Sequence, residues 1–182
     1  MDLYSIFKFL HVFSAVCWVG GGLCLTVLGA LASSRKDEAE MLRVVENVAF
    51  MANRWFMPLS LLTLLFGLLT TWLGGLFSQL WVILGLVGFG MAFLTGSLVL
   101  GPTSEKIRKL KETGRETDAY PLGRRLLRAA KFDYVVMFAV IADMVIKPGI
   151  ADLPVLGVLA LVLVGGAVVF LGGIFKSEPA AA

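Results

Sequence analysis

The chain has 182 residues, 58% of them hydrophobic and only 16% charged, with a mean hydropathy of +0.88. Soluble domains run nearer half apolar and a quarter charged, so this composition excludes a water-soluble globular domain and makes lipid the expected solvent. The net charge of +3 is no sign of nucleic acid, because the basic residues crowd into connections, where a membrane protein needs them.

Residues 3–32 form the first apolar run. It exceeds the roughly 20 residues that cross a bilayer, so the helix is expected to tilt or protrude. It lacks the basic start of a cleavable signal and is too long for one, and is expected to remain in the mature protein. Cys17 and Cys24 fall within it, about 10 Å apart along a helix, too far for a disulfide. They are expected to be packing residues.

A polar connection follows, Ser33-Ser34-Arg35-Lys36-Asp37-Glu38. Residues 39–53 then place Met41, Val44, Val45 and Val48 at helical spacing among charges, which reads as an amphipathic lead-in lying at the interface. The second span covers residues 55–73, with Arg54 and Trp55 as interfacial anchors. The third covers residues 80–100 and is expected to stop at Gly101-Pro102. Residues 103–130 are a hydrophilic connection with helix and turn signals at Gly114 and Pro121. The fourth span covers residues 132–146, closing at Lys147-Pro148-Gly149, and the fifth covers residues 153–175. The tail, residues 176–182, reads as disordered. Small residues at Gly85 and Gly88, and at Gly165, Gly166, Gly172 and Gly173, suit close helix packing.

The expected fold is all-α: one integral membrane domain over residues 1–182, a bundle of five transmembrane helices. Nine Lys and Arg residues lie between Lys106 and Lys131, and Arg35, Lys36 and Arg43 lie in the first connection. Positive-inside placement puts both connections in the cytoplasm, the N-terminus outside and the C-terminus inside.

Ionisable residues within spans are costly and need a reason. Lys8, His11, Asp143 and Lys147 are such residues, and the topology places all four in the outer half. Tyr4, Lys8, His11, Ala15, Trp18 and Gly22 share one helix stripe, which suits a wall against a porphyrin or quinone and equally suits packing against a neighbouring helix. His11 is the only histidine and a candidate haem or metal ligand, or a histidine bonded to another helix. Zinc is not expected, since no ligand set surrounds it. Asp143 and Lys147 read as an intrahelical ion pair, or, with Lys8, as a substrate anchor or proton path. No nucleophile motif, phosphate loop or dinucleotide fingerprint is present.

The run Lys8-Phe9-Leu10-His11-Val12, with Cys17-Trp18-Val19-Gly20-Gly21 after it, resembles the opening shared by three bacterial membrane families. They are the copper-resistance D family, the HemJ-type protoporphyrinogen oxidases and a group of small integral membrane proteins of unknown function. The length and the run Asp143-Met144-Val145-Ile146-Lys147-Pro148 most resemble the third. The resemblance implies a bacterial inner-membrane protein with a haem-b site on His11, flanked by Trp18. The second ligand would be Lys147, Met91, Met144 or a second His11 across a two-fold homodimer. Electron transfer or oxidoreduction, with a quinone or redox partner, is the function this implies. A copper or small-solute transport component and a non-catalytic scaffold are the alternatives.

Overall fold

The computed structural model describes residues 2–172. Among these residues there is no strand; they form α1 (Leu3–Ser34), α2 (Glu38–Met51), α3 (Met57–Leu73), α4 (Leu80–Leu94), α5 (Gly101–Glu112), α6 (Glu116–Ile146) and α7 (Leu153–Leu171). The end of the expected fifth span and the tail lie outside the described residues.

Two helices have side-chain N-caps. Asp2 accepts from the Ser5 N–H at 2.7 Å, and Asp37 accepts from the Glu40 N–H at 2.9 Å. The Asp2 carboxyl is held below its usual range by that bond. α6 ends on Lys147, whose backbone is left-handed (φ 54°), just before the buried Pro148.

Four helical stretches are long and apolar enough to cross a membrane: Leu3–Ser34, Glu38–Leu73, Leu80–Glu112 and Leu153–Leu171. The second and third exist because α2 runs into α3, and α4 into α5, through π-helical turns at Ala52–Phe56 and Thr95–Leu100. The Met57 N–H bonds to Ala52 O and the Gly101 N–H to Gly96 O, each five residues back. Each turn ends two residues before a proline, Pro58 or Pro102. A proline offers no N–H and its ring collides with the carbonyl four residues earlier. Widening the preceding turn relieves that collision, so Gly101-Pro102 continues the helix where the sequence suggests a stop.

The stretch 103–130 is likewise no loop. It folds as α5, a turn at Gly114 (φ 71°) and the first half of α6. These pack on α2 as a polar layer with its own core of Met41, Leu42, Val45, Ile107, Ala119 and Leu126. Ion pairs Lys111–Glu46 (2.8 Å) and Arg124–Glu38 (2.6 Å) tie the layer's helices together. The apolar face of α2 is therefore covered by protein, not by the membrane interface.

α6 is the central element, packed on α4, α7, α5 and α1. Its apolar half carries Lys131, Asp133 and Asp143, and both aspartates are buried inside the bundle. α7 buries no residue of its own and leans on α6. The glycines of α4 let α6 approach: a Cβ on Gly85 would overlap Met144, and one on Gly88 would overlap Val140. Gly166 of α7 is covered by Val135, with the nearest atom 2.8 Å from where a Cβ would stand, whereas Gly165 faces open space.

Gly88→Leu is therefore expected to lower the melting temperature of the detergent-solubilised protein by roughly 2–10 °C, the effect of overpacking a tight contact. Gly165→Leu leaves it unchanged. Equal melting temperatures for the two variants would show that α6 does not close on Gly88.

Candidate functional site

The first-helix stripe meets different neighbours along its length. His11 lies against Gly67 of α3, its Cε1 and Nδ1 both 2.9 Å from the position of a Cβ there. Its Nδ1 is 2.8 Å from Thr63 O. A carbonyl only accepts, so the contact is a hydrogen bond only with the proton on Nδ1, which leaves the lone pair on Nε2. Lys8 sits 5.9 Å from the Tyr4 ring. Trp18, two turns further on, packs edge-on against Phe89 of α4, with ring centroids 5.5 Å apart. Gly22 lies under the Tyr134 hydroxyl, which donates to Val19 O at 3.1 Å.

The residues expected to act with His11 lie elsewhere. Asp143 is 3% exposed and turned toward Gly85, with neither carboxylate oxygen hydrogen-bonded. The expected ion pair with Lys147 does not form, because the left-handed turn at Lys147 carries its ammonium over the Trp81 ring, 5.3 Å from the centroid. Met144 is packed on Gly85, and Met91 is 43% exposed on the bundle surface. His11 thus belongs to the α1–α3 contact, Lys8 is exposed beside Tyr4 of its own helix, and Asp143, Met144 and Lys147 belong to the α4–α6 contact. Among the described residues no three His, Cys, Asp or Glu side chains are grouped to hold a metal ion, and both cysteines are free.

The structure instead opens a cavity of about 430 Å³ near the polar layer. Trp18, Phe56, Phe93, Asp133 and Tyr134 are on its wall, and both π turns face it, through Asn53 and Ser97 among others. Asp133 is 4% exposed, and its Oδ1 is buried without a hydrogen-bond partner. Glu105, the other acid on the wall, is clasped by Arg108, Nε to Oε2 at 3.0 Å and Nη2 to Oε1 at 2.6 Å. A carboxylate removed from water and left unpaired costs several kcal/mol unless something else offsets it. π turns also recur at functional sites, where they widen a helix locally. A cavity, an unpartnered buried acid and two widened turns therefore coincide here.

Residues 5–148 match the model of a family described as "Predicted integral membrane protein (DUF2269)". The chain belongs to that family. The match runs from the first turn of α1 to Pro148, so it takes in the cavity, Asp133, His11 and the Asp143–Lys147 corner, and leaves out α7. No curated protein and no solved structure matches this DUF2269 chain.

Asp133 is absent from the candidates drawn from the sequence. The signal was present, since it is an acid inside the expected fourth span, but Lys131 two residues earlier gives it the look of a span edge. Trp18 is the one residue of the expected haem site that lies on the cavity. His11 has a separate test. Gly67→Ala is expected to push the imidazole off Thr63 O and cost about 1–3 kcal/mol, the penalty of an unmade buried bond. In the His11→Ala background the same change costs clearly less, so a cycle of four melting measurements shows coupling. Strict additivity would show that the ring does not rest on Gly67.

Proposed function

We propose that this DUF2269 protein is a five-span bundle, N-terminus outside and C-terminus inside, that binds or moves a small solute through the cavity at Asp133. The observation that carries this reading is the nine-tenths-buried, unpartnered Asp133 carboxylate on the wall of that cavity. α6 serves as the fourth span, although charged, because its two acids face other helices and not lipid. The basic polar layer then marks the cytoplasmic side of a bacterial inner membrane, and the cavity adjoins it through Pro102 and Glu105.

The test is access. In a Cys17→Ser, Cys24→Ser background, Ser97→Cys is expected to react with a charged, membrane-impermeant methanethiosulfonate in inside-out vesicles and not in right-side-out ones. Absence of reaction from either side would sink the reading, and reaction from the other side would reverse the topology.

Haem b on His11 is a second reading, favoured by one observation. A ligating imidazole commonly donates its other ring N–H to a carbonyl, as Nδ1 does to Thr63 O. Because Met144 and Lys147 lie at the α4–α6 contact and Met91 on the exposed surface of α4, this reading takes its second ligand from His11 of another copy. Haem would supply electron-transfer or oxidoreduction chemistry, in line with the HemJ and copper-resistance resemblance. The purified protein is then expected to show a Soret band that His11→Ala abolishes; a colourless protein after haem-supplemented expression counts against it.

A further inference from the structure

The wall of the cavity carries two acids and no Lys, Arg or His. Arg108 occupies Glu105, which leaves Asp133 as the acid on the wall without a partner. The nearby cations are turned away or engaged. Lys131 is two residues from Asp133 on the same helix, so it points to the opposite side. Arg54 lies over the Phe50 ring at 4.3 Å and donates to Phe50 O. The partner missing from this site is therefore a cation, and no described residue of the wall supplies it.

The rest of the wall says what kind of cation fits. Trp18 comes from α1, Phe56 from the first π turn, Phe93 from α4 and Tyr134 from α6, so aromatic rings reach the cavity from four directions. Ring faces attract cations that have shed water, and they also bury apolar groups. Ser60 donates to Met57 O and Ser97 to Phe93 O, so both hydroxyl protons are held by helix carbonyls. The lining is mainly apolar and aromatic, with Asp133 its one acid free of an ion pair. An organic cation meets a carboxylate and a set of aromatic walls, in a volume of drug-like size.

We propose that the cavity takes a lipophilic organic monocation, its charge against Asp133 and its apolar body among Trp18, Phe56, Phe93 and Tyr134. This rests on the reading of the cavity as a solute site. It goes further by fixing the charge and character of the solute.

Tetraphenylphosphonium and tetraphenylborate have nearly the same shape and opposite charge, so in detergent solution, compared at equal free concentration, the pair isolates the sign. Protection of Ser97→Cys from the thiol reagent is the readout, with the native cysteines replaced. The cation is expected to protect at concentrations at least about tenfold lower than the anion, a difference of one well-placed charge contact. Asp133→Asn, nearly isosteric, is expected to remove that preference, while Glu105→Gln keeps it. Should Asp133→Asn fail to give a monodisperse protein, the cation-to-anion ratio of the unsubstituted Asp133 still decides. Equal protection by both probes, or a preference that survives Asp133→Asn, overturns the inference while a labelled Ser97→Cys leaves the solute reading standing. A Ser97→Cys that never reacts overturns both.

Discussion

A carboxylate cannot face hydrocarbon, and the arrangement of this bundle follows from that constraint. α6 carries Asp133 and Asp143 about 15 Å apart along its axis. Both are buried, so α6 has to sit in the middle with other helices between it and lipid. α4 supplies a face of Gly85 and Gly88 that lets Met144 and Val140 close onto it. α7, with nothing buried of its own, serves as a cover on the remaining side.

The same helix ends in two different environments. At one end it belongs to the polar layer, where Arg124 reaches Glu38 of α2, and Leu126 joins that layer's core. At the other it terminates in a left-handed Lys147 whose ammonium lies over Trp81. The cavity lies where the first environment gives way to the membrane bundle. There the helices cannot all close: Pro58 and Pro102 each demand a widened turn nearby, and both widened turns border the opening. The prolines and the cavity are thus one feature. The distortion that accommodates the rings also keeps helix backbones from packing tightly around Asp133.

His11 shows how one side chain can serve packing and still hold chemical potential. Its seat on Gly67 and its bond to Thr63 O explain its place in an apolar helix. The same bond leaves Nε2 as the basic nitrogen. Trp18, on the same stripe, belongs to a different neighbourhood because α1 leaves α3 and meets α4 and α6 further along. A stripe on one helix is thus a shared direction, not a shared site.

The sequence by itself determined the solvent, the helical class and the position of each apolar run, because hydropathy and helical periodicity are local and additive. It also determined that His11 and Asp143 needed an explanation, since a polar group among apolar neighbours is costly wherever the helix goes. Only the tertiary structure decided which groups meet. Asp143 and Lys147 stand one turn apart and yet do not pair, because a backbone turn and a tryptophan face redirect the lysine. The hydrophilic stretch 103–130 became a packed layer because α2, far away in sequence, carries the matching apolar face and the matching charges. Asp133 gained its significance from residues of α1, α3, α4 and both π turns around it. Such proximity is set by the crossing of helices, and no pattern along a single helix encodes it.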